Sequence, residues 1–185
     1  MAATSRSRSP LTRRRNPEPG WLNQSQLRWA RSRPSIFRPG HVRHQVVVGP
    51  KFLYALFNPQ DQMHTVSRAF MTFVRDGDLP YRRLIVNDHI VDEAATRLKK
   101  QASLRNAASF LTTLDESALY QFESVSEDVF GDAKARFVEW ADLDASFTDF
   151  VVSAHMDELS VDYILTYDRH YDAFNVTTLP YRSQS

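Results

Sequence analysis

From residue 45 onward, short apolar runs alternate with segments of helical period, and this alternation restricts the fold more than any other feature of the chain. Val46 to Val48, Leu84-Ile85-Val86, Leu119 to Phe122 and Val161 to Tyr167 read as strands. Between them lie candidate helices. An apolar turn, Phe52 to Phe57, stops at Asn58-Pro59, and a helix follows from about Asp61 to Asp76, closed by Gly77. Asp88 is expected to cap a helix through Lys100, with Ile90, Val91, Ala94, Ala95 and Leu98 on its buried face. Ser103 should cap the next, and two more run over Ser126 to Trp140 and Ser146 to Leu159. Strands separated by helices need crossover connections. The expectation is an α/β fold with a central parallel sheet between two layers of helices, in one domain.

Charge divides the chain unevenly. Residues 1–44 carry ten arginines and one acid, Glu18, whereas the rest carries thirteen basic and twenty-one acidic side chains. This Arg/Ser/Pro-rich segment has no sustained period and is expected to be disordered or outside the native domain. Val46 or Val47 fits an internal start. Two other readings are a phosphate-binding arm and an organelle transit peptide. Residues 45–180 form the expected domain and 181–185 a tail. The chain has no cysteine, so neither a disulfide framework nor a thiolate metal site is available. No apolar run approaches membrane-spanning length, and no apolar core follows the basic start as a secretory signal requires. The expected location is cytoplasmic.

Chemistry is suggested by acids at the margins of apolar segments. Asp149 opens a helix that is apolar almost all round, through Phe150, Val151, Val152, Ala154, Met156 and Leu159. A carboxylate at the edge of a core is costly unless something pairs with it. Asp168 ends an apolar strand, at the sheet edge where open α/β folds place their sites. Two converging acids suggest a hard metal ion. Each also has a structural reading. Ser146-Phe-Thr-Asp149 fits a helix capping box, Asp168 a turn cap, and Glu93 a solvated charge in a first helical turn. Asp142 and Asp144 are ordinary loop acids by default. The six histidines lack zinc-binding spacing and read as surface or core residues, and Arg97, Lys99, Lys100 and Arg105 read as either an RNA-facing strip or a solvated helix face.

Several segments carry a family resemblance. Leu143-Asp-Ala-Ser-Phe-Thr-Asp149 followed by Ile164-Leu-Thr-Tyr-Asp-Arg-His-Tyr171 resembles the C-terminal half of PIN-domain proteins, above all the toxin subunits of VapC-type toxin–antitoxin pairs. Val86-Asn-Asp-His-Ile-Val-Asp-Glu93 resembles the segment that contributes a glutamate, and Val46 to Asp61 the first strand and helix. The likeness spans residues 45 to about 180. It implies a three-layer α/β/α PIN-like fold and a Mg²⁺- or Mn²⁺-dependent endoribonuclease. Carried over by position, the catalytic, metal-binding acids are Glu93, Asp149 and Asp168, with Asp144 a supporting metal ligand. The implied partners are an RNA substrate, a cognate antitoxin and a second copy of the chain, with no membrane.

The departure is at the end of the first strand. Where the family has an aspartate this chain has Gly49, and Lys51 brings positive charge close to the expected metal. Mg²⁺ is typically held by one or two carboxylates together with substrate phosphate, so three acids remain compatible with binding. The alternative is a catalytically impaired PIN-like protein that binds RNA or a partner without cleaving.

Overall fold

The computed structural model describes residues 45–180. The readings made of 1–44 and 181–185 lie outside the described residues. Five strands, β1 (Gln45–Val48), β2 (Arg83–Asn87), β3 (Tyr120–Glu123), β4 (Tyr163–Leu165) and β5 (Thr177–Leu179), form one sheet of order β3-β2-β1-β4-β5. All four pairings are parallel, with Val47 opposite both Ile85 and Ile164, Leu84 opposite Tyr120, and Leu165 opposite Leu179.

Six helices make the connections: α1 (Pro50–Phe57), α2 (His64–Asp76), α3 (Asp88–Gln101), α4 (Leu104–Glu116), α5 (Glu127–Glu139) and α6 (Phe147–Leu159). The chain runs β1, β2, β3 toward one edge, then returns past β1 to β4. Right-handed crossovers therefore put α1–α4 on one face and α5–α6 on the other. The packing agrees, with α1 against α2, α3 and α4, and α5 against α6. The expected α/β/α architecture is present.

The core follows the sequence pattern. Val46, Val48, Leu84, Val86, Ile164 and Leu165 are fully buried in the central strands, which is why these read as continuous apolar runs. Helix α6 buries every residue from Asp149 to Met156, as expected of a helix apolar on all sides. Phe150 sits edge-on to Phe137, Trp140 and Phe174, tying α5, α6 and the C-terminal segment together. Gly77 ends α2 in the left-handed conformation at φ 81°, donating back to Phe73 and Val74.

Several boundaries differ from expectation. Helix α2 begins at His64 because Asp61 is used in a turn, its carboxylate accepting the Met63 N–H at 2.8 Å. Strand β2 extends one residue further than expected, so the cap of α3 is Asn87 rather than Asp88, with the Asn87 side chain accepting from Ile90 N–H at 2.9 Å. Strand β5 and the short 3₁₀ turn His170–Ala173 were not foreseen. Among the described residues no helix is long and apolar enough to cross a membrane.

Candidate active site

The strand order reverses between β1 and β4, and the crevice at that switch point is where an open α/β sheet places a ligand. Gly49 follows β1, and its N–H donates to Leu165 O at 2.8 Å, closing the junction with β4. Thr166, Tyr167 and Asp168 continue from β4 along the same edge. Tyr167 stacks on Phe52 at 5.6 Å between ring centroids and shares a 2.9 Å hydrogen bond with Ser67, so the residue before Asp168 is fixed against α1 and α2.

Asp149 and Asp168 meet in this crevice with His170, and one ligand atom from each lies within 4.8 Å of the others. Both carboxylates are almost enclosed, at 5% and 6% exposure. The capping box exists: Ser146 N and Oγ each donate to Asp149 Oδ2 at 2.9 Å, and Asp149 N–H donates to Ser146 Oγ at 3.3 Å. The structural and chemical readings of Asp149 are therefore compatible. The cap fixes a carboxylate whose other oxygen remains available to the cleft. Asp168 is a turn cap as well, accepting the His170 N–H at 3.1 Å while its own N–H donates to Thr166 Oγ1 at 3.0 Å.

Glu93 adjoins this group from α3. Burial is the largest influence on its carboxyl and raises its pKa; a hydrogen bond from Thr148 opposes this, and the negative charges of Asp149 and Asp168 add to the rise. Glu93 thus feels the charge of both other acids, although it is not one of the three residues whose ligand atoms come together. Asp144 is exposed in the loop before α6 and stands outside the group, as does Asp142.

The positive charge of Lys51 is expected near the metal position but its partner is not, and the contacts of His170 have no sequence signal. Lys51 Nζ lies 2.5 Å from Asp168 Oδ2, and His170 Nδ1 lies 3.1 Å from Asp168 Oδ1 and 3.8 Å from Asp149 Oδ2. His170 was read as a bland surface or core histidine, and the 3₁₀ turn that aims it at the acids has no signature in the chain. Burial raises the Asp168 pKa, but the Lys51 and His170 hydrogen bonds and the charges of both residues outweigh it, leaving the carboxyl below its ordinary value. The Tyr171 hydroxyl is fully buried and approaches Asp149 without completing a well-formed hydrogen bond. Burial, then Asp149, hold its pKa well above the usual phenol value.

Beneath the site, Asn87 joins β2 to α6. Its Oδ1 is committed to Ile90 N–H, so its Nδ2 donates to His155 Nδ1 at 3.0 Å. His155 then carries its proton on Nε2, and burial lowers its pKa, keeping it neutral. Of the basic residues considered for RNA, Arg97 stacks over the Tyr54 ring at 4.6 Å, while Lys99 and Lys100 are exposed at the end of α3.

The donor set suits a hard cation. Glu93, Asp149 and Asp168 offer carboxylate oxygens, one imidazole stands beside them, and soft sulfur is absent.

No protein-family model matches the sequence, and no curated protein matches it. Solved structures do. VapC20 of Mycobacterium tuberculosis, a Sarcin-Ricin loop cleaving toxin, superposes with a TM-score of 0.62 at 20% identity, over 69% of this chain and 93% of that one. FitAcB from Neisseria gonorrhoeae gives 0.49 at 12% identity, over 72% and 95%. The chain has the PIN-type fold of VapC toxins.

Proposed function

We propose that this protein is a metal-dependent endoribonuclease of PIN type, the toxin of a toxin–antitoxin pair acting in the cytoplasm. The observation that supports this reading is the meeting of Asp149 and Asp168 with His170 at the β1/β4 switch point of a VapC-like fold, with Glu93 close enough to feel both charges. The three acids would hold Mg²⁺ or Mn²⁺. Such an ion, when bound, polarises the phosphoryl oxygen and acidifies the attacking water.

The remaining roles belong to the chain itself. Ser146 holds Asp149 at the start of α6, and Thr148 orients Glu93 from the next turn of backbone. Thr166 and the His170 N–H set the Asp168 carboxylate. Glu93, whose basicity is raised by burial and by its acidic neighbours, is the carboxylate best suited to accept a proton from water. Asp144, exposed and apart, is left as a support for substrate or ion at the rim. A cognate antitoxin and a homodimeric assembly complete the proposal, by analogy with the toxin fold alone.

A second reading is favoured by one observation. The ion pair between Lys51 and Asp168, with no carboxylate at Gly49, fits a scaffold that binds RNA or a partner without cleaving. The two are separated by incubating the full chain with structured RNAs in Mg²⁺ or Mn²⁺, with and without chelator, beside Asp149→Asn. Asparagine keeps the oxygen that Ser146 needs, so the cap survives. The nuclease reading expects metal-dependent cleavage that falls at least about a hundredfold in Asp149→Asn. RNA retained but uncut by the folded native chain would establish the second reading.

A further inference from the structure

Lys51 is the second residue of α1, after Pro50. A cation there opposes the helix dipole, and the first turn of α1 contains no acid to offset it. Its partner lies across the cleft instead, 2.5 Å away at Asp168 Oδ2. The other oxygen, Asp168 Oδ1, is shared by the His170 N–H and Nδ1, both at 3.1 Å. Both oxygens of Asp168 are therefore committed inside the protein. The two partners differ in freedom, however. The Asp168 side chain is 9% exposed and that of Lys51 is 37% exposed, so only the lysine has solvent into which it can move. Its four-carbon stem is flexible and its ammonium is strongly hydrated once released.

We propose that Lys51 is the resident counter-ion of the acid cleft, its ammonium holding the Asp168 oxygen that a divalent cation needs, so that ion loading requires Lys51 to swing into solvent. This rests on the reading above that the ion sits among Glu93, Asp149 and Asp168. One ammonium against three carboxylates leaves the cleft net negative, which keeps it attractive to a divalent ion while setting a threshold on binding. Neighbouring negative charge at Asp149 and Glu93 stays in place during the exchange.

The test uses the full chain and Mn²⁺ alone, by calorimetry without RNA, with folding followed by circular dichroism. Lys51→Met keeps most of the apolar stem and removes the charge. It should bind Mn²⁺ at least about tenfold more tightly than the native chain, equivalent to about 1.4 kcal/mol. Lys51→Arg, which retains the charge, should stay within about threefold of native. Asp168→Asn added to Lys51→Met should abolish the gain.

Mn²⁺ affinity in Lys51→Met that is equal to or weaker than native overturns the proposal, as does a gain that survives Asp168→Asn. Absence of Mn²⁺ binding in every form overturns it too. Metal-dependent RNA cleavage with unchanged Mn²⁺ affinity in Lys51→Met would refute the counter-ion role alone. Tighter Mn²⁺ binding by Lys51→Met with no cleavage by any form would refute the nuclease reading alone.

Discussion

Gly49→Asp is the perturbation whose outcome the structure constrains most tightly. The backbone of Gly49 is extended, at φ −70° and ψ 158°, so any residue can adopt it without strain. Space is tighter. A Cβ there would lie 3.3 Å from Leu165 O, from Thr166 Cβ and from Thr166 Oγ1, so the end of β4 must give by a few tenths of an ångström. Crowding of that order costs about 1 kcal/mol. The glycine's extra freedom in the unfolded chain returns about 0.4–1 kcal/mol on replacement. Stability without metal should thus stay within about 1 kcal/mol of native, lowered slightly by the added negative charge. With metal the balance changes. If the new carboxylate supplies a fourth ligand worth a tenfold gain in affinity, saturating Mn²⁺ adds about 1.4 kcal/mol beyond its effect on the native chain. For a protein of this size that is a further rise in Tm of about 3–5 °C. Differential scanning calorimetry with Mn²⁺ and with chelator reads it directly. An Mn²⁺-dependent shift in folded Gly49→Asp no larger than in the native chain would refute the placement of Gly49 at the ion.

Two further outcomes follow from the electrostatics. Burial holds the Glu93 carboxyl above its ordinary pKa in the folded state, so its ionised form costs stability above the raised pKa and that cost fades as pH falls through it. Glu93→Gln should therefore raise Tm in chelator at neutral pH, with an advantage that shrinks on acidification; an unchanged or lowered Tm across that range contradicts the assignment. Tyr171→Phe removes a buried hydroxyl that has no complete partner, and should stabilise the metal-free chain by about 1 kcal/mol, seen as a higher urea midpoint; a loss of stability would mean the hydroxyl is properly bonded.

The layers of the fold were legible because periodicity records burial. Val46 to Val48 and Leu84 to Val86 read as central strands since both faces of the sheet are covered, and α6 announced itself by being apolar on every side. β5 was not legible. Thr177-Thr178-Leu179 has no apolar run, and it becomes a strand through pairing with β4 alone. The cap of α3 was misplaced by one residue because Asn87 and Asp88 are both competent caps. What decides between them is how far β2 pairs with β3, and Asn87 pairs with Glu123.

At the site, Asp149 and Asp168 could be named because each interrupts an apolar segment, where an uncompensated charge is conspicuous. Glu93 has no such mark, and its place depended on resemblance to a motif. Lys51 was flagged for its charge, but its contact with Asp168 depends on the β1/β4 pairing, a relation between residues more than a hundred positions apart. His170 was invisible for the same reason: the turn that folds it back over Asp149 and Asp168 is short, irregular and fixed by tertiary contacts.

Both the proposed nuclease function and the role of Lys51 depend on where a divalent ion binds. Crystals of the full chain soaked in Mn²⁺ and measured near the manganese absorption edge would locate it by anomalous scattering. The account predicts a peak within about 2–2.5 Å of carboxylate oxygens of Asp149 and Asp168, with Glu93 facing it and the Lys51 ammonium withdrawn from Asp168. A cleft without anomalous density at saturating Mn²⁺, with Lys51 still seated on Asp168, would contradict it.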